Sequence, residues 1–235
     1  MKLIKIILSY FISVCMIYTI PIKAEEIISY PNTWINVELV SGSIQTSYKS
    51  SDYSVVYKTE GNKYIAYILD ENGNQVSIFS ETIEGMNIQE VILLKNANLF
   101  NAIASNSYET TMDGLFNLIP GRTEFQAYVW ARMKISSGSY WRQCDQLLGY
   151  GHSAGNSGAF TLEGSQSFDG TASYPTGKVR IDINGVIQTS SSSSGSLGLS
   201  FEALKGLGFK MSGTSTSTWY ARKTYNTSAT FTLMS

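Results

Sequence analysis

Between Ala127 and Ile135 apolar side chains alternate one for one with aromatic and cationic ones. Ala127, Val129, Ala131, Met133 and Ile135 fall on one set of positions; Tyr128, Trp130, Arg132 and Lys134 fall on the other. A period of two is the mark of a strand with one face on a core, and a helix of 3.6 residues per turn would mix the two sets. The segment commits the chain to a sheet with one buried face, and such a face needs a second layer over it.

Short β-forming runs separated by Gly, Ser and Asn follow. Val179-Arg180-Ile181-Asp182-Ile183, then Asn184-Gly185, then Val186-Ile187-Gln188 predicts a hairpin, because an Asn-Gly pair suits the positive φ angles of a type I′ turn. Further strands are expected over 197–203, 207–211, 214–221 and 225–234, with 190–195 a flexible Ser-rich loop. The last two runs have the length of membrane-crossing strands. A soluble sandwich with a hydroxyl-bearing outer face is the preferred reading of them.

Upstream, 53–59, 64–69 and 75–79 are rich in Tyr, Val and Ile and are separated by turn-forming Gly and Asn, which predicts a small β-meander. The apolar residues of 87–103 sit near helical spacing, so a helical or irregular connector is expected there. Pro120-Gly121 is the expected domain boundary. The fold class is mainly β: a sandwich or barrel over 120–235, preceded by the meander and connector within 25–119.

The N-terminus reads as an export signal. Lys2 and Lys5 precede an apolar run from Ile6 to Ile20, and Ala24 stands before Glu25-Glu26. The run is shorter than the ~20 residues that span a bilayer, so residues 1–24 are expected to be removed and the protein secreted. Only Cys144 then remains, so no disulfide can form within the chain and the fold must rest on its core. With 43% hydrophobic and 15% charged residues, charge density is too low to oppose collapse.

Charge is divided unevenly. Residues 25–119 carry a net −8 and residues 120–235 a net +4, and all five Arg lie in the second part. Such asymmetry points to partners rather than to fold. The cations of the second part are too sparse, and too evenly opposed by anions, for a nucleic-acid stripe.

The motifs for chemistry fail one by one. Gly151-His152-Ser153-Ala154-Gly155 matches G-x-S-x-G, but His152 is the only histidine, and a hydrolase triad needs one downstream of its serine. One His and one Cys cannot furnish a zinc site. Asp70-Glu71-Asn72-Gly73-Asn74 lacks the length and closing Glu of a calcium loop and reads as an acidic turn. Glu124, Asp145, Glu163, Asp169, Asp182 and Glu202 could supply a glycosidase pair, but nothing selects two of them. No enzyme, cofactor or metal is expected.

A leader, an acidic segment and a basic domain rich in Gly, Ser and aromatics resemble precursors of large, unmodified, secreted bacteriocins of Gram-positive bacteria. The resemblance spans the whole chain and is one of architecture. It implies that residues 25–119 act as a pro-segment and that the domain beyond Gly121 is the active part. The expected partner is an anionic membrane or cell-wall polymer, engaged by Tyr128, Trp130, Arg132, Lys134, Trp141 and Arg142, with cations for attraction and rings for anchoring. The alternative expectation is a secreted module that holds a glycan or surface polymer by aromatic stacking.

Overall fold

A computed structural model describes residues 33–85, 87, 88, 92, 107–138, 141–155, 158–215 and 218–233. The expected export signal over residues 1–24 lies outside the described residues, as does most of the expected connector over 87–103; Ile88 and Ile92, which are described, are both helical.

The alternation at 127–135 belongs to a 16-residue strand, β7 (Arg122–Ser137). Phe125, Ala127, Val129, Ala131, Met133 and Ile135 are completely buried on its inner face. β7 lies in an antiparallel meander, in the order β3 (Tyr53–Glu60), β4 (Lys63–Asp70), β5 (Gln75–Ile83), β6 (Tyr108–Ile119), β7, β8 (Arg142–Ala154). The three strands predicted upstream are β3, β4 and β5. Asp70 Oδ1 accepts from the backbone N–H of Asn72 and Asn74 at 2.9 and 2.7 Å, which closes the acidic turn between β4 and β5.

The second sheet runs β1 (Trp34–Glu38), β2 (Gly42–Lys49), β12 (Thr218–Leu233), β10 (Lys178–Ser190), β9 (Thr161–Asp169), with β11 (Lys210–Ser215) also paired to β12. Val179, Ile181, Ile183, Ile187, Ala229 and Phe231 are fully buried and join the inner face of the first sheet in one core. Phe116 of β6 meets Phe231 of β12 edge to face at 6.1 Å, which ties the two layers together. The sheets keep open edges, so the architecture is sandwich-like and not a closed barrel.

Three expectations are corrected. Asn184-Gly185 is not a hairpin turn but the middle of β10. The inner-face phase of Val179, Ile181 and Ile183 continues without a break through Gly185, Ile187 and Thr189, whereas a two-residue turn would have reversed it and turned Ile187 outward. Glycine is required at 185 by packing: a Cβ there would lie 2.9 Å from the Tyr225 hydroxyl and from Ser165 Cα. Residues 197–203 are not a strand. A 3-10 turn (Ser194–Leu197) leads into a short helix α1 (Phe201–Gly206), started by Ser200 Oγ accepting from Ala203 N at 3.2 Å, with Glu202 and Lys205 at the helix ends that favour their charges. The runs at 214–221 and 225–234 are not separate strands. Residues 218–221 of the first and 225–233 of the second merge into the single 16-residue strand β12, while Thr214 and Ser215 end β11.

Pro120-Gly121, where composition shifts, is the tight turn that joins β6 to β7, with Gly121 at φ 71°. Strands from before this turn sit in both sheets. β1 and β2 extend the second sheet, while β3 to β6 form most of the first.

Candidate functional site

The structure brings four of the six sequence-selected residues into one row. Tyr128, Trp130, Arg132 and Lys134 point outward from β7, two residues apart, on the face opposite the core. Trp141 is also outward, 47% exposed, but stands beyond the row, next to the start of β8. Arg142 does not join them. It pairs with Ser137 on the inner side of the strands, is 9% exposed, and donates from Nη1 to the Val40 carbonyl at 3.3 Å.

Trp130 has an unusual seat. Its register partners on β8 are Gly151 and, one step along, Gly149 opposite Arg132. A Cβ at Gly151 would come within 2.9 to 3.2 Å of Nε1, Cε2 and Cζ2 of the indole, and one at Gly149 within 3.3 to 3.4 Å of Cζ3 and Cη2. Both ends of the ring system therefore rest against β8 backbone, tightly at Gly149 and so closely at Gly151 that a Cβ would push the indole aside, so the indole lies down along the strand. Beside it, the Tyr128 phenol hydrogen-bonds to the Asp113 carboxylate, and burial, followed by that nearby charge, raises its pKa. Asp113 is itself fixed by Ser80 Oγ at 2.6 Å and faces Lys63 Nζ at 3.8 Å.

The cationic half of the expectation is answered differently. Arg132 reaches Glu84 at 3.0 Å and Glu109 at 2.8 Å. Arg122 pairs with Glu124, Arg180 with Asp182 and Arg222 with Glu163, at 2.7 to 2.8 Å. With Arg142 buried, all five arginines are committed within the molecule. Glu109, Glu84 and Asp113 stand beside Arg132 and Lys134 on or next to the row, so this face carries no excess of positive charge.

The remaining candidates for chemistry are dispersed. Glu124, Glu163 and Asp182 are held by the arginines just named; Asp145 accepts from Ser136 and Gln143; Asp169 accepts from the Tyr174 hydroxyl at 3.0 Å; Glu202 sits in the first turn of α1. Cys144 is fully buried, and burial pushes its thiol up to about 12, which keeps it protonated. His152 stands eight positions further along β8, roughly 25 Å at ~3.3 Å per residue, so the two do not pair. Nor is 151–155 a loop around a serine: Gly151 to Ala154 belong to β8, and His152 faces away from Ser153, across the layers. Its Nδ1 meets Ser167 Oγ at 2.6 Å and its Nε2 meets the Tyr225 hydroxyl at 3.0 Å. Burial lowers the imidazole pKa and lifts the Tyr225 phenol to about 12. The group is a neutral polar bridge between the sheets.

One buried carboxylate had no signal in sequence. Glu81 is 0% exposed, yet Oε2 accepts from the backbone N–H of Val40 and Ser41 at 2.7 and 2.9 Å, and Oε1 from Thr110 Oγ1 at 2.8 Å. It satisfies the buried turn between β1 and β2, a structural task. Sequence reasoning also missed a cleft of about 350 Å³ where β2 departs from β12. No group of His, Cys, Asp and Glu fit to hold a metal occurs among the described residues.

The fold and this face define a class, an antiparallel β-sandwich-like protein with an outward aromatic row on the strand next to a sheet edge. No family model matches the chain, and neither a curated protein nor a solved structure matches it.

Proposed function

We propose that the chain is an exported, non-enzymatic binding module whose β7 face, centred on Trp130 and Tyr128, holds a neutral glycan of a cell surface. The observation that carries this is the indole laid along β8 over Gly149 and Gly151. A ring in that pose offers its free face as a platform, and the C–H face of a sugar ring is the complementary apolar surface, with flanking hydroxyls and amides left to the polar rim. Arg132 and Lys134, offset by the glutamates beside them, add local polarity without a net field, which favours an uncharged polymer over an anionic membrane.

The antimicrobial-precursor reading draws no comparable support. It needs residues 25–119 to be dispensable, and these supply six of the twelve strands among the described residues, β1 to β6, in both sheets. Cutting at Gly121 would remove two strands from one layer and four from the other and uncover the core between them.

Adsorption to insoluble neutral polysaccharides (cellulose, chitin and β-1,3-glucan) tests the proposal, with anionic lipid vesicles and teichoic acid run alongside. Binding to at least one polysaccharide, lost in Trp130→Ala with the unfolding midpoint preserved, is the expected result. Salt-sensitive binding to vesicles or teichoic acid that survives Trp130→Ala would overturn it, and so would adsorption to none of the polysaccharides.

A further inference from the structure

The edge of β12 that faces β2 is only partly paired. β11 takes its beginning, to Arg222, and β2 takes its end, from Phe231 to Leu233. Between these contacts β2 swings away and opens the 350 Å³ cleft, within the ~300 to 1,000 Å³ range of small-ligand sites. Gln45 and Ser47 form one wall, Thr227 and Ser228 the other, and Phe116 and Asn117 of the opposite sheet line the floor. Trp34 stands at the mouth, 52% exposed, with the Lys49 ammonium 5.8 Å from its ring.

We infer that this cleft is a second binding site, for the end of a short neutral saccharide. Every side chain that lines it is uncharged. Its floor is pre-set: Asn117 Nδ2 donates to Ser47 Oγ at 3.0 Å, while its Oδ1 accepts from the Tyr48 hydroxyl at 3.3 Å and from Gln126 Nε2 at 3.2 Å. Its walls are not: the side chains of Gln45, Thr227 and Ser228 make no hydrogen bond with the described residues. Along the same edge of β12, residues 223–230 have no ladder partner among the described residues, so backbone donors and acceptors also face the gap. Hydroxyl, amide and peptide groups without charge, gathered under an exposed indole, suit a ligand made of hydroxyls on an apolar ring. The site is separate from the β7 face and does not depend on it.

Titration with soluble neutral oligosaccharides of glucose, mannose or N-acetylglucosamine, followed by tryptophan fluorescence and calorimetry, tests the assignment on the whole exported chain. Saturable binding is expected, weakened about tenfold or more by Trp34→Ala and abolished by Ser228→Phe, which fills the cleft. Both variants should keep the wild-type unfolding midpoint, since Trp34 and Ser228 are exposed. Trp130→Ala should leave this binding intact, so failure of the β7 proposal and failure of this one read out separately. Absence of saturable binding, binding unchanged in both cleft variants, or tighter capture of an extended neutral peptide than of any sugar would overturn it.

Discussion

The two faces of the β7 and β8 pair are built from the same alternating backbone and do opposite things. On the inner face, Val129, Ala131, Met133, Ile135 and Cys144 are wholly buried, and His152, the chain's single histidine, is kept neutral and bonded across the layers. On the outer face, Tyr128, Trp130, Arg132 and Lys134 remain in reach of solvent, and β8 contributes glycines where large side chains would compete with the indole. Where the inner face is filled, the outer face is cleared. That difference separates what holds the molecule together from what it can present.

The separation can be attacked most directly from the inside. Met133→Ala should cost about 2 to 5 kcal/mol of unfolding free energy by chemical denaturation, because a fully buried side chain leaves a cavity that the sheets cannot close. A loss below 1 kcal/mol would show that the inner face does not carry the stability assigned to it.

A smaller effect is expected from His152. Its pKa is lowered in the folded state, so the unfolded chain binds the proton more readily. Its contribution is complete above the unfolded value of about 6.5 and is lost as pH falls from there through the depressed folded value. Unfolding midpoints taken from neutral to mildly acidic pH should therefore decline in wild type and decline less in His152→Gln. Equal slopes would mean that the inter-layer bridge does not sense protonation.

The smallest effect belongs to Arg132→Ala. Both of its ion pairs are exposed, and exposed pairs contribute little, so the unfolding midpoint should not move measurably. A clear drop would place stability on the outer face and blur the distinction.

Much of the fold was legible from short-range pattern. Alternation located β7, and β-rich runs between Gly and Asn turns located β3, β4 and β5. The same rule, followed in phase through Gly185, was enough to find β10 as one strand; the Asn-Gly pair permits a turn and does not demand one. The helix at Phe201–Gly206 carried its own start signal in Ser200, hidden in a Ser-rich stretch. Of the site, the outward grouping of Tyr128, Trp130, Arg132 and Lys134 could be read directly, because residues two apart on a strand share a face.

What the linear order determined, then, is which residues lie on a common face, since that depends only on backbone period. Which charges remain free was decided in three dimensions: Arg132 finds Glu84 48 positions away and Glu109 23 away, and Arg142 reaches Val40 across 102. Acidic and basic halves that look separate along the chain lie side by side within both sheets. The seat of Trp130 and the cleft beside Trp34 arise from strand register and strand divergence, which are set by the packing of two layers and leave no mark on any single segment.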